Sequence, residues 1–187
     1  MYKYSTGIII EKTKILKGNL LYIFCKNSGL TKFIYPYKIK NLKLDTLNLI
    51  SFQTKTNKEY SFIKQYTVIN YFENIRSSFY KKILSQIILE IIRKTLPENH
   101  RENQIFKLTL SFLNYLDKSN NHNQIEKNFE KFINAFIQML GYQIDENLTI
   151  TEKIQKLEIL TNVDINSKSL LEDTLREVRN HAIRSNR

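Results

Sequence analysis

The first 68 residues read as a series of short strands, and from residue 70 the apolar period changes to that of a helix. The strand runs are Ser5–Thr13 (with Gly7-Ile8-Ile9-Ile10 at its centre), Leu20–Cys25, Leu30–Tyr37, Leu47–Gln53 and Glu59–Val68. Turn-forming residues stand where the strands must end: Lys17-Gly18-Asn19, Asn27-Ser28-Gly29 and Lys55-Thr56-Asn57-Lys58. Five short strands with no helical segment among them fit a small barrel of the OB type.

Period-two alternation places Leu21, Ile23 and Cys25 on one face of the second strand and Leu20, Tyr22 and Phe24 on the other. In the third strand Phe33, Tyr35 and Tyr37 share a face opposite Lys32 and Ile34, and Pro36 closes the strand. A small barrel fills its interior with one face of each strand, so one of these sets is core. Aromatic side chains left outside are available to stack on unpaired bases; strand aromatics otherwise serve as core or cross-strand packing.

Charge follows the same division. Residues 1–69 carry twelve lysines and no arginine against three acids, Glu11, Asp45 and Glu59, whereas residues 70–187 are nearly balanced with 17 basic and 15 acidic side chains. A codon bias toward Lys, Asn and Ile would act on both halves, so the asymmetry points to a basic patch for a polyanion. Lys12, Lys14 and Lys17 surround the loop at Ile15–Asn19, and Lys38, Lys40 and Lys43 follow the third strand. Beside a binding face such a run meets phosphates without sequence preference; elsewhere it is a solvated loop.

A lone cysteine, Cys25, excludes an intrachain disulfide, and no Cys/His spacing offers a zinc site, so neither metal nor cofactor is expected. Its apolar strand predicts a buried, inert thiol. The opening Met1-Tyr2-Lys3-Tyr4-Ser5 lacks a signal-peptide apolar region, and the run Ile83–Ile92, broken by Ser85, Gln86 and Glu90, is too short to span a bilayer. A soluble, cytoplasmic protein with no membrane partner is expected.

Beyond residue 70, Ile83, Leu84, Ile87, Ile88, Ile91 and Ile92 recur at helical spacing, with a stop at Leu96-Pro97. Further helices are predicted over Gln104–Leu116, from Ile125 to Leu140 with Gly141 as its cap, over Thr151–Leu160 with a capping box begun by Thr149 or Thr151, and over Ser169–Ile183. The expected fold is therefore α+β: an N-terminal five-stranded OB barrel over 1–69, then an all-α bundle over 70–187.

This order, with a core helix closing on Met139-Leu140-Gly141-Tyr142, resembles the RecO family of bacterial recombination and repair mediators. Gly7–Thr13, the loop with Gly18, and Leu20–Gly29 are similar to that family's first hairpin, and Leu140-Gly141-Tyr142 resembles its "LGY". Three features differ. Tyr35-Pro36-Tyr37-Lys38-Ile39 replaces the family's Ala-Lys-Gly-Ala-Arg-like turn, Lys17 replaces an acidic residue, and the four-cysteine zinc site of many members is missing. The resemblance implies a non-enzymatic mediator. It would bind single- and double-stranded DNA, promote strand annealing and help load RecA onto DNA coated by single-stranded DNA-binding protein, with that protein and RecR as partners. The DNA-contacting candidates are Lys12, Lys14, Lys17, Lys32, Lys38, Lys40 and Lys43, with Tyr22, Tyr35 and Tyr37 for stacking. An acidic peptide tail from the partner would want cations beside an apolar groove between helices, and Arg93, Lys94, Lys127 and Lys131 are the candidates.

Three rivals remain at this level, one of them a purely structural adaptor, which predicts no salt-sensitive oligonucleotide binding. A generic single-stranded RNA-binding OB module meets phosphates and bases by the same contacts. Arg176-Glu177-Val178-Arg179-Asn180-His181 resembles the RNase motif of HEPN proteins, although Glu177 stands where that family places a polar Asn, Asp or His, and basic residues at a helix end are favoured by the helix dipole in any case. His100 and His122 lie in polar stretches with nothing to pair them for catalysis, so no catalytic residue is expected.

Overall fold

The computed structural model of the protein describes residues 2–16, 18–36, 44–56, 61–145 and 147–185, with side chains for all of these except 2, 3, 56 and 177–185. Five strands come first: β1 (Tyr2–Ile15), β2 (Gly18–Cys25), β3 (Gly29–Pro36), β4 (Leu49–Thr56) and β5 (Ser61–Asn70). They close into a barrel in the order β1-β2-β3-β5-β4, antiparallel throughout except where β3 meets β5 in parallel at Ile34 and Phe62. Closure leaves less open edge for other chains to pair with than a flat sheet of the same strands would, although among the described residues 11–15 of β1 pair only with β2 and β3 meets β5 at one residue pair.

The interior takes one face of each strand: Ile9, Leu21, Ile23, Cys25, Phe33, Tyr35, Ile50, Phe52 and Ile63 form one buried cluster, joined by Leu44. A register shift between Ile9 and Glu11 lets β1 leave β4 and continue along β2. Leu47 does not begin β4 as its hydrophobicity suggests. It is buried at φ 74°, and its N–H donates to the Ile9 carbonyl at 2.7 Å, so the segment before β4 ties itself to that bulge instead.

Helices α1 (Glu73–Ser77), α2 (Phe79–Thr95), α3 (Asn103–Lys118), α4 (His122–Met139), α5 (Ile150–Thr161) and α6 (Lys168–Ser185) follow. The α2 helix stops two residues short of Pro97, whose ring forbids helical geometry just before it. At the head of α5 the Thr149 hydroxyl accepts from the Glu152 N–H while the Glu152 carboxylate accepts from the Thr149 N–H, so the capping box falls on Thr149. The strand signals and α2 to α6 follow the sequence; the one-turn α1 carries too short an apolar pattern to be read from it.

By contacts the chain divides into two compact units, 1–72 with 92–107, and 73–91 with 108–187. The first contains the barrel together with the end of α2 and the start of α3. In it Phe24, on the outer face of β2, meets Phe106 edge-on at 5.5 Å. The second unit has a ring cluster of Phe112, Phe129, Phe132 and Phe136, with successive centroids 5.3 to 6.0 Å apart. There Glu90 accepts from the N–H groups of Asn166 and Ser167 at 2.8 and 2.9 Å, anchoring the entry to α6. No described helix is long and apolar enough to cross a membrane.

Candidate nucleic-acid interface

The outer surface of β1, β2 and β3 begins with a cross-strand row. Glu11 stands opposite Tyr22, and Tyr22 opposite Lys32, so all three point away from the barrel interior. Arg93, near the end of α2, lies over this row. Its guanidinium carbon is 3.5 Å from the centre of the Tyr22 ring, and its Nε donates to Glu11 at 2.9 Å. On the other side Lys32 Nζ is 5.3 Å from the same ring and 2.9 Å from the Glu98 carboxylate. The Glu98 carboxylate is the main cause that holds the Lys32 ammonium above the ordinary lysine value, opposing the effect of desolvation.

Among the described residues, the two cations against the Tyr22 ring, Arg93 and Lys32, are thus each matched by a carboxylate of the same unit. A groove of about 530 Å3 opens beside them, lined among others by Ile15, Leu20, Ile34, Lys32 and Glu98. The β2–β3 face is where OB barrels take nucleic acid. Here its apolar strip is available, while a phosphate reaching Lys32 competes with the Glu98 carboxylate already beside it.

Lys12 and Lys14 lie on the alternate face of β1, opposite Leu21 and Asn19, where the hairpin runs out past the barrel. Both are exposed. The Lys12 ammonium donates to the Leu44 carbonyl at 2.7 Å, which holds its charge at that point. Leu16, at the hairpin tip, is 100% exposed. Lys17, Tyr37, Lys38, Lys40 and Lys43 lie outside the described residues.

The stacking expectation for Tyr22 and Tyr35 needs correction. Tyr35 is 6% exposed inside the barrel, edge-on to Tyr66 at 5.7 Å, and burial, with Tyr66 beside it, pushes its phenol up to about 12. Tyr22 faces outward yet is only 9% exposed, because Arg93 covers it. Neither presents a ring face to a base. Lys32 was the signal that could have decided between the faces: a lysine directly opposite Tyr22 marks that side as outward and sends Phe33 and Tyr35 in. Among the described residues, an exposed barrel tyrosine that sequence reasoning passed over is Tyr4, at 70% exposure.

The proposed peptide-docking cations are not gathered in one unit. Arg93 and Lys94 belong to the barrel unit, where Arg93 is committed to Tyr22 and Glu11. Lys127 and Lys131 are exposed one turn apart on α4, in the helical unit. Of the RNase-like motif, Arg176 is exposed and the His181 side chain lies outside the described residues. His100 pairs with Glu102 at 2.8 Å, and the His122 ring packs 5.0 Å from Tyr80. Cys25 is buried, its thiol pushed up to about 12 by desolvation, which keeps it protonated and unreactive at neutral pH.

No protein-family profile and no curated protein matches this chain.

Proposed function

We propose that this protein is a non-enzymatic nucleic-acid mediator of the RecO type. It binds single- and double-stranded DNA through the barrel, promotes annealing of complementary strands, and helps load the recombinase RecA onto DNA coated by single-stranded DNA-binding protein. That protein and RecR are its partners, and its place is the cytoplasm. The observation that carries the reading is the concentration of charge: the sequence segment that closes into an OB-type barrel holds twelve lysines against three acids. Such a surface draws in a polyanion by releasing its counterions. Two strands brought to one basic surface repel each other less, and annealing then needs no side-chain acid or base.

The test titrates fluorescent single-stranded and duplex DNA at several salt concentrations and adds an annealing assay with complementary oligonucleotides. Affinity is expected to fall linearly with salt on logarithmic axes, and annealing to accelerate. Absence of salt-dependent binding overturns the reading. A matched RNA oligonucleotide in the same titration separates it from an RNA-binding module, which would prefer the ribose strand.

A further inference from the structure

The barrel has a second outward surface, built by β1, β4 and β5. Tyr4 stands opposite Gln53, and Gln53 opposite Gln65; in the next outward row Thr6, Ser51 and Thr67 align in the same way. The residues between these rows, Phe52 and Tyr66, turn toward the core. On the far side Lys55 stands opposite Phe62, and the register shift after Gln53 leaves Lys64 as the extra residue of β5. Tyr4 is 70% exposed, and Gln65, Lys55 and Lys64 are exposed with it.

An antiparallel sheet commonly turns a polar face to water, and a single exposed tyrosine is ordinary. What separates this surface from the β2–β3 face is its charge. There Arg93 and Lys32 each have a carboxylate 2.9 Å away. Here the described members of the rows include two lysines and no carboxylate, and the aromatic ring lies open instead of under a guanidinium.

We propose that this face holds the unpaired bases of a single-stranded polynucleotide. A base stacks on the Tyr4 ring, the amides of Gln53 and Gln65 meet base edges, and Lys55 and Lys64 take the phosphates. The strand must be single, because a base still paired within a duplex cannot lie flat on a side chain fixed to a sheet. This inference rests on the reading of the barrel as a nucleic-acid binder and assigns that function to a face other than β2–β3.

The experiment titrates the full chain against single-stranded DNA, the same sequence as RNA, and duplex DNA, using wild type, Tyr4→Ala and Tyr4→Phe. Tyr4→Ala is expected to weaken binding of whichever single strand the wild type prefers by about 5- to 150-fold, the loss of one stacked base, and duplex binding by less than about twofold. Tyr4→Phe, which keeps the ring, is expected to stay within about twofold of wild type. A bromouracil-containing strand irradiated in the complex is expected to crosslink to the peptide containing Tyr4. Unchanged single-strand affinity in Tyr4→Ala, or crosslinks confined to β2 and β3, overturns the assignment while leaving the mediator reading in place. A wild type that binds none of the three ligands overturns both. An unaltered circular dichroism spectrum of Tyr4→Ala establishes that any loss is not unfolding.

Discussion

The guanidinium of Arg93 lies 3.5 Å from the centre of the Tyr22 ring while its Nε donates to Glu11. One side chain thus shields an aromatic residue that the strand alternation points at solvent, and joins the end of α2 to the first hairpin of the barrel. A guanidinium flat on a ring combines dispersion with attraction to the ring's quadrupole.

Arg93→Ala is expected to cost about 1–2 kcal/mol of stability, from the lost cation–π contact and the apolar ring surface returned to water. The surface pair with Glu11 adds little, because both partners are partly solvated. Arg93→Lys should recover less than half, since an ammonium cannot lie flat on the ring. Urea denaturation checks this: a midpoint unchanged in Arg93→Ala would mean that the guanidinium merely rests there.

Glu98→Gln releases Lys32 from its carboxylate without changing the shape of the groove. If nucleic acid reaches the β2–β3 face, the variant should bind oligonucleotides more tightly. Its logarithmic salt slope should steepen by roughly 0.7–0.9 for the one additional phosphate contact. Lys12→Ala and Lys14→Ala should each shift the slope the other way by a similar amount. Fluorescence anisotropy across a salt series decides, and an unaltered slope in Glu98→Gln would exclude Lys32 from the interface.

How far the chain could be read in advance depended on whether a feature was local. Alternation in Leu20–Cys25 and the turn at Asn27-Ser28-Gly29 depend on neighbouring residues, and the strands formed where those signals lay. The helix spacing from Ile83 to Ile92 and the stop before Pro97 are local too. The site was less legible. Whether Tyr22 can stack on a base depends on Arg93, 71 positions later in the chain, and whether Lys32 is available depends on Glu98. Neither dependence leaves a periodic trace. Tyr4 escaped notice because its importance comes from Gln53 and Gln65, which only barrel closure brings alongside.

Alkaline pH should destabilise the barrel through two of its core side chains. Cys25 and Tyr35 both sit in the barrel core, and burial pushes each to about 12. Both pKa values are higher folded than unfolded, so the unfolded chain releases its protons first as pH rises. The stability they contribute is complete below the ordinary thiol and phenol values and is lost progressively as pH climbs toward about 12. Melting temperature should therefore fall from about pH 9 upward. Cys25→Ser introduces a core hydroxyl at a cost of its own but should flatten the first part of that decline. A thiol reagent that modifies Cys25 at pH 8 as fast in the folded protein as in urea would contradict the burial argument.

Gly29 opens β3 at φ +70°, and a Cβ built on it would stand 1.7 Å from the backbone carbonyl oxygen of His100. That approach belongs to a short parallel contact in which the Asn99 N–H donates to the Leu30 carbonyl at 2.8 Å and Leu30 bridges to Glu98. The same contact brings the Glu98 carboxylate to Lys32 at 2.9 Å. Gly29→Ala must both strain a left-handed backbone and push the 98–100 segment away, and is expected to cost roughly 2–4 kcal/mol. Gly29→Asn separates the two causes, because asparagine tolerates positive φ but still carries the Cβ. If the close approach dominates, Asn should be nearly as destabilising as Ala; if strain dominates, Asn should recover most of the loss. Amide exchange adds a local readout. The Asn99 N–H should lose protection in Gly29→Ala under conditions where the β1–β2 pairing keeps its own, and equal protection in wild type and variant would mean that this contact does not hold Glu98 against Lys32.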